Sequence, residues 1–259
     1  MPDRARALLE ETERFIRSLE PLRFSPPVAA VYNPLVYAAA PYRNYLRAYG
    51  AAKKRVLFLG MNPGPWGMAQ TGIPFGEIES VKTWLAVTGT IGHPEKEHAK
   101  RPITGWECTR SEVSGRRLWG LMKERFGTPE NFFADHFVAN YCPLVFMGET
   151  GRNITPDKLT KEERTALFEQ CDRHLAAVLT ILEPQYLIGI GRFAEKRLLT
   201  AAATLESGDY TPVISWILHP SPANPRANRN WKETAASQLV SLGIWKPPSP
   251  AIQSTPSQQ

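Results

Sequence analysis

The chain has 259 residues, three cysteines and a formal net charge of +6. Its length allows one large α/β domain or two small ones, and the odd number of widely spaced cysteines, Cys108, Cys142 and Cys171, argues against a disulfide framework. The charged N-terminus lacks the apolar core of a secretory signal and no apolar run reaches the length of a membrane span, so we expect a cytoplasmic protein with no membrane partner.

The two ends of the chain differ from its middle. Arg4 to Leu19 has a partial apolar stripe at helical spacing and is predicted to form a surface helix that ends at the prolines beyond it. We therefore divide the chain into an N-terminal helix and linker over residues 1–27, a main domain over 28–245, and a tail over 246–259. Because the tail is rich in Pro, Ser and Gln, we expect it to be disordered.

Three elements are predicted between the linker and residue 60. Val31 to Tyr37 is expected to be a short strand or an extended loop, and Pro41 to Tyr49 a helix that stops at Gly50. The apolar run Val56 to Leu59 is typical of a strand buried on both faces, as the strands of a parallel sheet are.

A rigid loop follows this apolar run. It contains Asn62-Pro63-Gly64-Pro65, where proline restricts φ and glycine frees it, and a helix is predicted beyond it from Glu77 to Val87. An ordinary strand-to-helix connection has the same appearance, but ligands of open α/β sheets bind where strands end. A second strand, predicted from Pro212 to Leu218, also runs into a proline-rich loop, which begins at His219. Two such loops, each led by a polar side chain, indicate the two halves of one site.

The long loop before residue 111 contains His93-Pro94-Glu95-Lys96-Glu97-His98, which invites comparison with zinc sites. Its spacing matches neither H-E-x-x-H nor H-x-x-E-H, and Pro94 interrupts a helix there. We therefore predict no metal site and no cofactor.

The remaining elements alternate between helices and strands. The predicted strands are His136 to Asn140 and Tyr186 to Gly191. The predicted helices are Ser114 to Phe126, Thr160 to Leu182, Arg192 to Ala203 and Asn230 to Leu242. The third of these blocks in chain order, the helix that ends at Leu182, begins with a capping box at Thr160 and carries Cys171 as a core residue. Strands that alternate with helices imply one α/β domain, with a central four-stranded parallel sheet flanked by helices. Asn62, Asn140 and His219 then all stand at the carboxyl ends of strands.

Three blocks of sequence resemble one known family. GMNPGPWGMAQTGIPFGE at 60–77, HPSPANP at 219–225 and Asn140-Tyr141-Cys142-Pro143-Leu144 closely resemble the single-strand-selective monofunctional uracil-DNA glycosylases, a branch of the uracil-DNA glycosylase superfamily. The resemblance covers residues 33–243. It implies the fold of that superfamily, with a catalytic domain over 28–245, and a monomeric DNA repair enzyme that flips uracil out of the stack and hydrolyses its N-glycosidic bond.

The resemblance also sets expectations about substrates and cofactors. It implies activity on uracil and on oxidised uracils such as 5-hydroxymethyluracil, in single- and double-stranded DNA, and therefore action in the nucleoid of a bacterium or the nucleus of a eukaryote. Other branches hold an iron–sulfur cluster, which needs four thiolates. Three cysteines cannot supply them, so we expect no cluster.

The family motifs imply a role for each residue of the site. His219 matches the residue that donates to uracil O2, and Asn62 the residue that positions water. Asn140 matches the reader of N3–H and O4, since one amide offers an acceptor and two donors. Phe75 is the expected stacking face. Met61 is expected to line the pocket with its backbone. Gly64 is expected to line it as well and, because it has no side chain, to leave space there.

A loop that contacts DNA is expected beyond His219. The resemblance implies that Pro222 to Asn228 form the wedge and backbone-contact loop, followed by a helix start that bears Arg226, Arg229 and Lys232. The expected DNA-binding residues are Ser221, Pro222, Ala223, Asn224, Arg226 and Arg229. Vertebrate members carry Arg at the position of Ala223, so this plug is small here. Two other functions are compatible with the sequence: a glycosylase for another deaminated base such as xanthine, and a non-catalytic module that binds single-stranded DNA.

Overall fold

The computed structural model describes residues 3–205 and 210–247. The tail predicted over 246–259 therefore lies outside the described residues, apart from its first two positions.

Seven strands form two sheets. They are β1 (Ala30–Tyr32), β2 (Val56–Gly60), β3 (His136–Asn140), β4 (Val145–Met147), β5 (Asn153–Ile154), β6 (Tyr186–Ile190) and β7 (Val213–Ile217). The larger sheet has the order β3-β2-β6-β7 and every neighbouring pair in it is parallel. The prediction of a central four-stranded parallel sheet is confirmed, and so are its strand positions to within one residue at each end.

The described residues also form ten α-helices. They are α1 (Arg4–Leu19), α2 (Pro34–Tyr37), α3 (Ala39–Tyr49), α4 (Met68–Thr71), α5 (Ile78–Ser80), α6 (Val113–Phe126), α7 (Pro129–Asp135), α8 (Lys161–Leu182), α9 (Arg192–Ala202) and α10 (Pro225–Ser241). None of them is both long and apolar enough to cross a membrane.

The sheet centre is apolar because β2 is covered on both faces. All five of its residues are buried, and the four from Val56 to Leu59 have no exposed area. Its register pairs Gly60 with Asn140 on one side and Leu59 with Gly189 on the other. Parallel pairing in this register brings the carboxyl ends of the strands, and the loops that follow them, to one edge of the sheet.

A second sheet was not predicted. Its order is β1-β4-β5 and its pairs are antiparallel. β4 and β5 have only three and two residues, too short to show an alternating pattern. The single element predicted over Val31 to Tyr37 is wrong in part, because Asn33 accepts a hydrogen bond from the Leu35 amide and Pro34 begins the helix α2.

Three helices also differ from the prediction. The helix predicted over Glu77 to Val87 is α5 followed by one π-helical turn, which ends where Ala86 adopts φ 50°. Helix α7 was missed, and α10 begins at Pro225 rather than Asn230. The Asn224 side chain accepts from the Arg226 amide at the start of α10, and Asn230 (φ −154°) only kinks the helix. The proline after a capping asparagine was the signal for this start.

Helix α8 is the longest helix among the described residues. Its capping box is confirmed, since Thr160 accepts from the Glu163 amide and Glu163 accepts from the Thr160 amide. Cys171 is buried in its core face, as predicted. Helix α1 packs against α8, where the rings of Phe15 and His174 stack with centroids 4.0 Å apart. The boundary between linker and main domain at residue 28 stays a prediction.

Candidate active site

A cavity of about 490 Å³ opens at the carboxyl edge of the parallel sheet. Eight residues predicted from the sequence line it: Met61, Asn62, Gly64, Phe75, Asn140, His219, Ser221 and Pro222. They come from the loops after β2, β3 and β7, which are far apart in the sequence. A larger cavity of about 680 Å³ lies at the amino-terminal ends of β6 and β7, where Tyr186 and Val213 line it. Parallel sheets bind ligands at their carboxyl edge, so the smaller cavity is the candidate site.

Gly60 brings two site residues together at the end of β2. A Cβ at this position would overlap Asn140 Oδ1 and would lie 2.6 Å from Cε2 of Phe75. Only glycine lets both side chains approach the strand end so closely. In the sequence Gly60 only follows an apolar run, so this requirement could not be predicted.

The amide of Asn140 has one end bound and one end unpaired. Its Nδ2 donates to Met68 Sδ at 3.2 Å. Its Oδ1 is enclosed and finds no hydrogen-bond donor within residues 3–205 and 210–247. A buried amide oxygen without a donor is costly, and it marks this acceptor as a group that a ligand can satisfy.

Phe75 is held in a conformation that side chains rarely adopt. Its φ is 53°, in the left-handed region, which costs about 1–3 kcal/mol for a non-glycine residue. Its carbonyl accepts hydrogen bonds from Trp119 Nε1 at 3.0 Å and from the Glu77 amide at 2.7 Å. These bonds fix the aromatic ring as a wall of the cavity, 6.4 Å from the ring of His219 between centroids.

His219 is neutral with a defined tautomer. Its Nδ1 accepts a hydrogen bond from the Ser221 amide at 3.1 Å, so the proton of the neutral ring is on Nε2. Burial lowers the pKa of His219 to about 4. The ring therefore presents an uncharged N–H donor near neutral pH.

The loops after β2 and β3 stay paired beyond the strands. The Tyr141 amide donates to the Gly60 carbonyl and the Cys142 amide to the Met61 carbonyl, both at 2.9 Å. Asn62 comes next, and its Nδ2 donates to the Pro63 carbonyl at 3.2 Å. This bond orients the amide and leaves its oxygen as the acceptor that can hold a water.

Glu112 lines the same cavity and was missed in the sequence analysis. Burial, with a contribution from the nearby charge of Glu77, raises its pKa to about 7. Its Oε2 is enclosed and has no hydrogen-bond partner in the described part of the chain. A glutamate at a loop-to-helix junction carries no motif, so nothing in the sequence indicated it.

The loop from Ser221 to Asn224 forms the rim of the cavity and is rigid. The Ala223 amide donates to Ser221 Oγ at 3.2 Å, and Asn228 Nδ2 donates to the Pro222 carbonyl at 2.8 Å. Arg117 ties the loop to α6 by donating to Pro220 O and Asn228 Oδ1, each at 2.9 Å. Arg117 and Asn228 had no signal in the sequence, because their partners are remote or are backbone atoms.

The remaining DNA-binding candidates do not line the cavity. Ala223 is exposed at the rim, Asn224 caps α10, and Arg226 and Arg229 are exposed on its first turns. Another part of the rim is Trp66, with the guanidinium groups of Arg101 and Arg110 at 5.0 and 5.2 Å from its ring centroid. Positive charge therefore stands on two sides of the opening.

His93 and Glu97 form a hydrogen-bonded pair, with Nδ1 and Oε1 2.8 Å apart, rather than part of a ligand set. Within residues 3–205 and 210–247, no group of three or more His, Cys, Asp or Glu side chains is arranged to hold a metal ion.

Sequence comparisons match most of this chain to known proteins. The model of the uracil DNA glycosylase superfamily matches residues 47–240. The single-strand selective monofunctional uracil-DNA glycosylase of Rattus norvegicus is 45% identical over 242 residues, which are 93% of this chain and 85% of the relative. The Bos taurus protein of that name is 45% identical over 240 residues, 93% of this chain and 87% of its own.

One solved structure shows a related fold. The structure of SMUG2 from Pedobacter heparinus superposes with a TM-score of 0.65 over 95% of this chain and 100% of its own, at 19% identity. At this identity the likeness supports the fold alone.

The state of His219 can be measured directly. We expect NMR titration of its ring nitrogens to show the Nε2–H tautomer from pH 8 down to about 5, and protonation near pH 4. Because the folded pKa lies below the unfolded value of about 6.5, the contribution of His219 to stability should fall as the pH drops from 6.5 to 4. The His219→Leu variant assigns the signals, and a ring that titrates near 6.5 would contradict the assignment.

Proposed function

The chain belongs to the uracil DNA glycosylase superfamily, in its single-strand selective monofunctional branch, and from this we propose that it hydrolyses the N-glycosidic bond of uracil in DNA without cutting the strand. The observation that carries the proposal is the convergence of Asn62, Phe75, Asn140 and His219 on one cavity from separate strand ends. The described residues of a single chain supply all of these groups, so we propose a monomer that needs no cofactor. It would act where the DNA is, in a nucleoid or a nucleus.

Recognition of the base follows from Asn140 and Phe75. The unpaired Oδ1 of Asn140 accepts from uracil N3–H, and Nδ2 leaves its weak contact with Met68 Sδ to donate to O4. Cytosine would place an acceptor against Oδ1 and an amino group against Nδ2, and each unsatisfied buried group costs about 1–3 kcal/mol. The fixed ring of Phe75 forms the stacking wall. The Asn140 amide therefore distinguishes uracil from cytosine, the normal base from which uracil arises.

Cleavage depends on stabilising the leaving base. As the bond between C1′ and N1 breaks, its electron pair moves onto the uracil ring and negative charge builds up on O2. The Nε2–H of neutral His219 donates to that oxygen, as donors of an oxyanion hole do. Asn62 holds the water whose oxygen then bonds to C1′, and the proton that this water loses neutralises the departed uracil anion. An amide orients this water but does not deprotonate it, so departure of the base leads the reaction.

The side of the cavity at Gly64 provides a second criterion. A side chain there would narrow the space beside the base and would lie 3.3 Å from Glu112 Oε1. We propose that an ordered water occupies this space, that the hydroxyl of 5-hydroxymethyluracil replaces the hydrogen bonds of the water, and that the methyl group of thymine cannot.

The rim suggests a preference for single strands. Flipping a base from a duplex costs a few kcal/mol, and much less from a single strand. Ala223 in the expected wedge is exposed and offers only a methyl group, which fills little of a vacated stack. Duplex DNA is therefore the poorer substrate in this proposal, although it is still accepted.

Removing either polar catalytic group should slow the reaction while sparing the fold. We expect Asn62→Ala and His219→Leu to lower single-turnover excision from a uracil-containing single strand by roughly 10²–10⁴-fold, the range for a positioned electrostatic or proton-handling group. His93→Leu, on an exposed loop, is the matched control and should keep the parent rate. A folded variant with a near-normal rate would remove that residue from the mechanism.

Asn140→Asp should shift the base preference of the protein from uracil towards cytosine. A carboxylate accepts from the cytosine amino group but cannot donate to uracil O4, so most uracil excision should be lost and weak cytosine excision gained, mainly in single strands. Rates on matched uracil and cytosine oligonucleotides measure this exchange, with Asn140→Ala as the control that loses both interactions. Equal uracil rates in Asn140→Asp and the parent protein would show that Asn140 does not read the base.

Arg226 and Arg229 should contribute phosphate contacts. We propose that both touch the DNA backbone, so that their joint change to Ala flattens the dependence of log K on log salt by roughly 0.7 per lost contact on a single strand. Binding to an abasic product at several salt concentrations measures the slope. The double variant Arg23→Ala with Arg47→Ala removes the same charge from exposed helix and linker positions and should leave the slope unchanged. An unchanged slope in the Arg226 and Arg229 variant would place the DNA elsewhere.

A further inference from the structure

Glu112 is an acid in the candidate site with no part in the mechanism above. It occupies the N-cap position of the 14-residue helix α6, where a carboxylate could accept from free amides, yet its side chain makes no capping bond. It turns toward the loop after β2 instead. There a Cβ on Gly67 would overlap Oε2, and a Cβ on Gly64 would lie 3.3 Å from Oε1. Two glycines thus leave room for one carboxyl group.

The position of this carboxyl group relative to the base follows from its neighbours. Asn140 Nδ2 contacts Met68 Sδ at 3.2 Å, and Met68 directly follows Gly67, which Glu112 covers. Asn140, Met68, Gly67 and Glu112 therefore form one continuous surface, which we name the base-side wall. With O4 of the base at Asn140, this wall places the carboxyl group of Glu112 in the same cavity as the bound base.

The charges around Glu112 come from three elements. At the start of α5, Glu77 accepts hydrogen bonds from Ser80 and Ser111, which lower its pKa although burial opposes them, so it is ionised. On α6, Arg116 donates to Ser111 Oγ at 3.1 Å. In the segment before α6, Arg101 and Arg110 lie over the ring of Trp66, which is in the loop after β2. Across the cavity stands His219, which is uncharged near neutral pH.

We propose that Glu112 serves the site as a neutral carboxylic acid, and that its ionisation suppresses release of the base. This rests on the proposed function, because the reason lies in the charge of the departing uracil. A carboxylate on the base-side wall repels the negative charge that builds up on the ring. The neutral acid does not repel it, and its O–H can donate to the base or to a water beside it. A carboxyl group kept neutral by an apolar site in order to donate is known in other enzymes.

The proton should leave Glu112 close to neutral pH. Burial is the main reason that its pKa is raised to about 7, and the ionised Glu77 adds to it. If only the neutral form is active, the rate falls about tenfold per pH unit above that value. The dipole of α6 favours the ionised form, but the side chain does not accept from the free amides of the helix.

The test compares the pH dependence of single-turnover uracil excision in three proteins. The wild type should be nearly level from pH 5.5 to about 6, fall to about half at pH 7 and be lower by about 30-fold at pH 8.5. Glu112→Gln keeps a neutral side chain with an N–H donor, and should match the wild type within about threefold at pH 6 while staying level to pH 8.5. Glu79→Gln, an exposed acid on α5, is the control and should follow the wild-type profile.

Two results would overturn the proposal. A wild-type rate that is level from pH 5.5 to 8.5 would overturn the proposal. This result needs no variant, so it remains decisive if the Glu112→Gln protein does not fold. A decline that persists unchanged in Glu112→Gln would overturn the proposal as well, because another group must then titrate.

A stability measurement separates this proposal from the proposed function. The pKa of Glu112 in the folded protein exceeds its ordinary value of 4.5, so between these two values the folded protein holds a proton that the unfolded chain has released. The stability of the folded protein therefore falls as the pH rises from about 4.5 to 7. The melting temperature of Glu112→Gln relative to the wild type should therefore increase by several degrees between pH 5 and pH 8. Buried histidines such as His136 titrate in both proteins and cancel from this difference.

The two measurements together give distinct outcomes. Both effects together support the proposal. A stability shift with a level activity profile would mean that Glu112 titrates without affecting base release, which overturns the proposal and leaves the proposed function intact. No excision by the wild type at any pH would overturn both, even if the stability shift appeared.

Discussion

The structure depends on the parallel pairing of β2 with its two neighbours, and above all on the close approach at its carboxyl end. Gly60 pairs with Asn140 across the sheet, and the absence of a side chain at Gly60 lets Asn140 and Phe75 meet over the strand end. The backbone bonds from Tyr141 and Cys142 continue that pairing into the loops. A strand buried on both faces does not shift its register easily, because a shift by one residue would move every side chain to the opposite face. The position of the Asn140 amide is therefore a consequence of core packing.

The site is built from polar groups that are neutral at slightly acidic pH. His219 is uncharged because burial lowers its pKa and the Ser221 amide occupies Nδ1. Asn62 and Asn140 are amides, and burial raises the pKa of Glu112. In the proposed mechanism, the N–H donors of such a site stabilise the negative charge that develops on the leaving base. Positive charges lie outside the cavity: Arg101 and Arg110 over the ring of Trp66, and Arg226 and Arg229 on the exposed first turns of α10.

The central sheet was predictable because its strands are long enough and apolar enough to be recognised in the sequence. Val56 to Leu59 and Tyr186 to Ile190 are short continuous apolar runs bounded by glycine. The capping box at Thr160 marked the start of α8 for the same kind of local reason. The strands β4 and β5 were missed because two or three residues carry no periodicity, and their pairing is made only through contacts remote in sequence. The start of α10 was a misreading of local chemistry, since Asn224 and Pro225 signal it.

The sequence by itself determined the alternation of strands and helices, the two rigid loops, and the residue types that meet at the sheet edge, because these properties arise from neighbouring residues. Only the tertiary structure decided which groups touch one another. It left Asn140 Oδ1 without a donor among the described residues, turned Phe75 into a left-handed conformation, and selected the His219 tautomer through the Ser221 amide. It also placed Glu112 over Gly67, across 45 positions of the chain. Burial and long-range contact set the charge of a titratable group, and neither property can be read from its neighbours in sequence.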